Sequence, residues 1–140
     1  MRYLLDTNVV SELRKVQLGT ADPNVAAWAA RLDATDLFLS VITVMELEVG
    51  VSLLERRDTA QGARLRLWLE QQVLPEFCGR ILAIDEVVAR RCARLHVPDK
   101  RNEPDALIAA TALVHGMTVV TRNVADFRAT GVRLLNPWEP

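Results

Sequence analysis

Tyr3-Leu4-Leu5-Asp6-Thr7-Asn8-Val9-Val10-Ser11-Glu12-Leu13 changes its periodicity at one point, and that change decides the fold. From Arg2 to Leu5 the chain is a short apolar run, whereas Val9, Val10, Leu13 and Val16 recur at helical spacing. The stretch reads as strand, turn and helix, with an acid at the carboxyl end of the strand. The same alternation continues outward. A helix is expected over Pro23 to Leu32, with Val25, Trp28, Ala29 and Leu32 on one face and a proline near its start. Leu37-Phe38-Leu39-Ser40 reads as a buried strand, and Thr43 is the expected cap of a helix through Glu46, Leu47, Gly50 and Leu54.

Glu55-Arg56-Arg57-Asp58 marks a surface corner, followed by an amphipathic helix from Thr59 to about Val73 that Leu74-Pro75-Glu76-Phe77 and Gly79 interrupt. Arg80 to Ile84 is a strand. Asp85 caps the next helix, through Val87, Val88, Cys92 and Leu95, which Val97-Pro98 closes. A polar turn from Asp99 leads to a helix of small residues over Pro104 to His115, stopped by Gly116. Met117-Thr118-Val119-Val120-Thr121 is a β-branched strand, Asn123 to Phe127 a turn, and Val132 to Leu135 a last strand. Strands alternating with helices predict an α/β fold, a short parallel sheet of about five strands with helices on both faces. One domain over residues 1–140 is expected. In such sheets ligands sit beyond the carboxyl ends of the strands.

The 140 residues are half hydrophobic and a quarter charged, with a formal net charge of −1. That composition supports a packed core without a disulfide or structural metal. Cys78 and Cys92 are neither closely spaced nor accompanied by a histidine pair, which argues against a zinc site; both are expected to be reduced and packed. The first acid, Asp6, precedes any signal-peptide-length apolar stretch, and no run reaches the roughly 18–20 apolar residues of a membrane span. A cytoplasmic location is expected. The near-zero charge leaves a nucleic-acid partner open, because a local basic patch suffices to bind phosphate.

Four acids carry the chemical reading. Asp6 ends the first strand, and Asn123 and Asp126 lie just past the strand ending at Thr121, so all three fall at the ligand-binding edge. Taken singly, Asp6 reads as a helix cap and Asp126 as a turn acid. Glu46 is less easily dismissed, because Ile42, Val49, Gly50 and Leu53 share its helical face and no lysine or arginine lies within a turn. An ionised carboxylate facing a core costs several kcal/mol in order of magnitude unless compensated. Asp105 repeats the anomaly beside Ile108, Ala109 and Ala112, although the helix dipole favours an acid in the first turn by about 0.3–1 kcal/mol. Four carboxylates converging at one edge would repel one another, and a divalent cation is the simplest remedy. An all-oxygen set suits Mg²⁺ or Mn²⁺, and an acid-lined magnesium cleft suits hydrolysis of a phosphodiester.

Leu4 to Glu12, Thr43 to Leu47, Asp105 to Ala112 and Val119 to Phe127, in this order and spacing over essentially the whole chain, resemble the PIN-domain superfamily and its VapC-type toxins. The closing Asn136-Pro137-Trp138 and the helix after Ser40 resemble the FitB-like branch. The resemblance implies a PIN-like fold and a Mg²⁺-dependent endoribonuclease, with Mn²⁺ as a substitute. It implies the toxin half of a toxin–antitoxin pair: homodimeric, assembled with a VapB-like antitoxin, and reaching operator DNA only through it. Asp6 and Asp105 match the principal metal ligands, Glu46 the third acid, and Asp126 with Asn123 the fourth position. Relatives carry aspartate where this chain has Asn123; charge favours Asp126, with Asn123 hydrogen-bonding behind it. Thr7, Asn8 and Ser11 match the polar residues that orient the first acid or bind phosphate.

For RNA contacts the candidates are Lys100 and Arg101 in the loop before Asp105, and Arg90, Arg91 and Arg94 on the preceding helix; a solvated helix face explains the latter equally well. Glu103 is expected to be exposed. A rival reading makes the chain a binding module that dimerises an operator-binding antitoxin with little turnover. An aspartyl-phosphate enzyme is disfavoured because Asn8 stands where a second aspartate is needed, and a receiver domain because the acidic pair after the first strand is absent. The sequence does not name the RNA.

Overall fold

A computed structural model describes residues 1–140. Five strands, β1 (Tyr3–Leu5), β2 (Leu37–Ser40), β3 (Ile81–Leu82), β4 (Thr118–Val120) and β5 (Leu134–Leu135), form a parallel sheet in the order β3-β2-β1-β4-β5. The central strand is therefore β1, with Leu4 in register with Phe38 on one side and Val119 on the other. The chain leaves β1 towards β2 and returns to β4 on its opposite side. This switch of direction opens a crevice between the carboxyl ends of β1 and β4, the place where open α/β sheets bind ligands.

Both faces are covered, which is why the strands lack polar alternation. Leu5, Leu39 and Val120 point into one core with Val9 and Val10 of α1 (Thr7–Leu18), Trp28 of α2 (Pro23–Ala30), Leu47 and Val51 of α3 (Val41–Arg57), and Trp68 of α4 (Thr59–Trp68). Their neighbours Leu4 and Val119 point the other way, against Ile108, Ala109 and Ala112 of α7 (Glu103–His115) and Phe127 of α8 (Val124–Phe127). Outside α7 lies α6 (Glu86–Leu95), joined to it through Val88, Cys92, Ala106 and Ala110. No helix is long and apolar enough to cross a membrane.

Helix starts follow the expected capping chemistry, with one correction. Asp22, Asp58, Asp85 and Asn102 each accept backbone N–H groups of the helices they precede. The cap of α3, however, is Ser40, whose hydroxyl accepts from Ile42 N–H at 3.0 Å, and not Thr43. Thr43 is fully buried, and its hydroxyl donates to Leu5 O at 3.4 Å, tying α3 to the end of β1. Two further expectations are overturned. Residues 124–127, read as turn, make one short helix, and Cys78 is exposed rather than packed, while Cys92 is buried.

The surface corner is confined to Asp58, because Glu55, Arg56 and Arg57 complete α3. The hairpin it makes is tight. At Gly62 an added Cβ would stand 2.5 Å from Glu55 Cα, so the absence of a side chain lets α4 touch the backbone of α3. The helix expected to run regularly to Val73 widens into a π turn over Leu69–Val73 and continues as α5 (Leu74–Glu76). Leu74 N–H reaches back to Leu69 O there, one residue before Pro75, which has no N–H to give.

Candidate functional site

Asp6 stands where β1 becomes α1. Its N–H extends the sheet ladder to Val120 O at 2.9 Å, and its carboxylate is held by three donors. Oδ1 accepts from Thr7 N–H at 2.8 Å; Oδ2 accepts from the Thr121 hydroxyl at 2.9 Å and the Asn8 amide at 3.4 Å. Only 6% of Asp6 is exposed. Burial raises its pKa above the ordinary value, against the hydrogen bonds from Thr121 and Thr7, and the charge of Asp126 raises it further.

Glu46 projects from the first half of α3, and its Oε1 accepts the Thr7 hydroxyl at 2.7 Å. Thr7 thus bridges two acids, through its N–H to Asp6 and its hydroxyl to Glu46. Asp105 enters from the first turn of α7, where its N–H is fixed by Asn102 Oδ1 at 3.2 Å. Its pKa is pushed up to about 6, first by burial and then by the charges of Asp6, Asp126 and Glu46 in turn. One carboxyl group therefore feels the charges of the other three. Asp126 is the exposed member, in α8, with its N–H bonded to Asn123 O at 3.0 Å.

Glu46 does not face a core, contrary to the expectation from its helical neighbours. Val49 and Leu53, its expected core neighbours, are 52% and 61% exposed, and with Val41 and Met45 they form an uncovered apolar stripe along α3. Glu46 lies at the margin of that stripe, not inside a core. The face argued for Asp105 is a real one: Ile108, Ala109 and Ala112 are fully buried.

Asn8 and Asn123 belong to the scaffold of the cleft. Asn8 spans from Asp6 to Arg122, whose N–H it accepts at 3.2 Å, and Asn123 N–H donates to the Thr121 hydroxyl at 3.0 Å. Ser11 lies one turn farther along α1, exposed and outside the hydrogen bonds that hold Asp6 and Glu46. Arg101 is committed to its own loop, through Nε to Leu95 O at 2.7 Å and N–H to His96 Nδ1 at 3.0 Å, whereas Lys100 is exposed. Arg90, Arg91, Arg94 and Glu103 are exposed to solvent.

Two participants were not anticipated. Thr121, buried and bonded to Asp6, was read only as the end of a β-branched strand; its position beside the carboxyl end of the central strand was the signal that could have marked it. Arg122, next in sequence, is joined through Asn8 to the same carboxylate.

The donors are all carboxylate oxygens, and their mutual repulsion gives a hard divalent cation a place to be stabilising. No three of these side chains are drawn close enough to enclose an ion unaided. A cation held here would keep part of its water shell, as magnesium does when only one or two carboxylates ligate it. A cavity of about 770 Å³ lies elsewhere. It is lined by Val10, Leu13, Trp68, Val73 and Phe77 and contains none of the four acids.

The sequence pattern of the family described as PIN domain matches residues 3–132. This chain belongs to that family. Toxin FitB of Neisseria gonorrhoeae is 42% identical to this PIN domain, over 96% of this chain and 97% of FitB. VapC ribonuclease Y4jK of Sinorhizobium fredii is 39% identical, over 98% of each chain. Among solved structures, FitAB bound to an IR36 DNA fragment matches with a TM-score of 0.87 at 40% identity, covering 99% of this PIN domain and 96% of that chain. A toxin–antitoxin complex from Klebsiella pneumoniae matches with a TM-score of 0.65 at 28% identity, covering 99% of both.

Proposed function

We propose that this PIN domain is a divalent-metal-dependent endoribonuclease that serves as the toxin of a toxin–antitoxin pair. The observation that carries the proposal is the geometry of the crevice between β1 and β4, where Thr7 bridges Asp6 and Glu46 and Thr121 holds Asp6, within reach of the charge on Asp105. A group of that kind, in a cleft and perturbed by specific charge partners, is where catalytic chemistry is expected. One or two of Asp6, Glu46, Asp105 and Asp126 would ligate Mg²⁺ directly and the others through its water shell, with Mn²⁺ able to replace it. When bound, the ion supplies positive charge for the attacked phosphate and lowers the pKa of a water.

The chain's own groups define the rest. Thr7 fixes the spacing of Asp6 and Glu46, and Thr121 and Asn8 keep Asp6 from rotating away. Asp126, exposed at the mouth, completes the acid ring, and Asn123 acts through Thr121 rather than as a ligand. Ser11 and Lys100 are free to meet RNA on either side.

The partner reading rests on relatives. A VapC ribonuclease and a FitB toxin match over nearly the full length, and two matching structures are toxin–antitoxin assemblies, one of them on DNA. We infer a VapB-like antitoxin here, operator DNA reached through it, and self-association through the uncovered stripe of α3, since exposed apolar patches mark interaction surfaces.

The test is cleavage of RNA by purified protein with Mg²⁺, Mn²⁺ or a chelator, beside Asp6→Asn and Asp105→Asn proteins shown to be folded. Cleavage that needs the ion and vanishes in both variants is expected. Equal cleavage by all three proteins would reject the reading.

A further inference from the structure

Asn136-Pro137-Trp138 has no part in the acid cleft, yet the fold fastens it to α2 and to the arginine that follows Thr121. Asn24 Nδ2 of α2 donates to Trp138 O at 2.7 Å, and Trp138 N–H donates to Asn136 Oδ1 at 3.0 Å. The indole is half-buried against the core that contains Trp28 and Val10. Over its ring lies the Arg122 guanidinium, 5.2 Å from the centroid. Arg122 follows Thr121, which holds Asp6, and its N–H is bonded to Asn8, which reaches the same carboxylate. The arginine–tryptophan pair therefore stands two hydrogen bonds from the first acid.

The ion pairs of the chain, Lys15–Glu12, Arg66–Glu48, Arg66–Glu55 and Arg80–Glu76, all lie elsewhere. Arg122 follows Thr121 in sequence, its backbone N–H is bonded to Asn8, and its guanidinium makes no ion pair. Stacking on Trp138 holds the guanidinium in place and leaves its N–H donors unused; of the other arginines that lie over aromatic rings, Arg2 and Arg80 spend donors on carbonyls within the fold, whereas Arg14, over Trp68, also keeps its donors free. A planar cation with free donors, braced by an indole, suits single-stranded RNA, whose bases stack on aromatic and guanidinium planes while its phosphates accept from arginine.

We propose that Arg122 and Trp138 form a nucleotide-binding step next to the acid cleft. The guanidinium takes the phosphate adjoining the one that is cut, and the base of that nucleotide stacks on the arginine–indole pair. The inference rests on the ribonuclease reading and adds a subsite to it. Arg122 is then the principal RNA-binding cation at the cleft, in place of Arg101, whose Nε and backbone N–H are engaged within its loop.

Binding is read in the Asp6→Asn protein, which does not cut, with a single-stranded RNA oligonucleotide at several salt concentrations. Trp28 and Trp68 are 6% and 8% exposed, so quenching of indole emission by RNA reports chiefly on Trp138. Trp138→Phe should remove the quenching. Arg122→Ala should weaken binding by roughly tenfold and flatten the dependence of log K on log salt by about 0.7. Arg122→Lys should restore the salt slope but not the affinity, because it keeps the charge and loses the plane. In otherwise wild-type enzyme, Arg122→Ala should raise KM with kcat unchanged.

An Arg122→Ala protein with the parent's salt slope, affinity and KM would overturn the proposal, and a lowered melting temperature in that protein would leave the pair as a clamp for the tail. Since Arg122 is exposed, this variant decides the matter even if Trp138→Phe is unstable. Absence of both RNA binding and metal-dependent cleavage in the parent proteins would instead remove the ribonuclease reading, and this subsite with it.

Discussion

Helices α3 and α7 present the same pattern in sequence, an acid flanked by apolar residues at helical spacing, and the fold uses it in opposite ways. On α7 the stripe is a packing surface: Ile108, Ala109 and Ala112 are fully buried, and Asp105 sits where that surface meets the crevice, desolvated enough to titrate near pH 6. On α3 the buried face is carried by Thr43, Leu47 and Val51, while Val41, Met45, Val49 and Leu53 look outward. Apolar periodicity reports that a face avoids water, not what covers it. The residues themselves hold a clue: small side chains such as Ala109 and Ala112 allow close approach to a sheet, whereas Met45 and Leu53 are the bulky groups of a surface awaiting a partner.

The strongest test of the comparison is chemical. Asp105→Asn and Glu46→Gln should each reduce the rate of RNA cleavage, by about 10²–10³-fold if both stabilise charge at the cleft. A loss for Asp105→Asn alone would make Glu46 part of the α3 stripe. Removing the bridge should cost less: Thr7→Val and Thr121→Val leave the acids in place but unoriented, and a loss of about 10–100-fold in rate or metal affinity is expected from steady-state and metal titrations.

Stability separates the two stripes next. Ala109→Leu should destabilise by about 1–3 kcal/mol through overpacking, whereas Val49→Leu on the outer face of α3 should stay within about 0.5 kcal/mol; denaturant melts decide. A second copy covering α3 would make Met45→Glu monomeric by sedimentation without unfolding it, and an unchanged mass would leave the stripe to another partner.

The smallest effect is a pH dependence confined to α7's side of the cleft. In metal-free protein Asp105 takes up its proton near pH 6, whereas the unfolded chain does so near 3.8. Between those values the folded state binds more protons, so this contribution to stability is fully present below pH 3.8 and is lost as pH rises through about 6. Asp6, also raised, acts in the same direction. The stabilisation given by Asp105→Asn should therefore be larger at pH 7.5 than at pH 5 in thermal melts, and saturating Mg²⁺ should abolish the difference by favouring the ionised form.

Much of this architecture was legible before any coordinates. The strand, helix and capping pattern around Asp6 carries the parallel sheet, and the acids at strand ends carry the cleft, because both depend on local chemistry that a linear reading preserves. What escaped depends on who stands beside whom. Thr121 reads as one more β-branched strand residue until β4 is known to lie against β1, and Arg122 acquires a partner only when Trp138 returns from the far side of β5. The π turn before Pro75 and the cap at Ser40 were lost for a smaller reason, since each shifts a helical register by a residue or a few without altering composition.

The strand order has one more consequence, concerning the order of manufacture. A ribosome that has released β1, β2 and β3 has already emitted Asp6 and Glu46, but the strand that walls off the crevice, β4, has yet to slot in on the other side of β1. A partly synthesised chain thus carries Asp6 and Glu46 before the crevice between β1 and β4 exists.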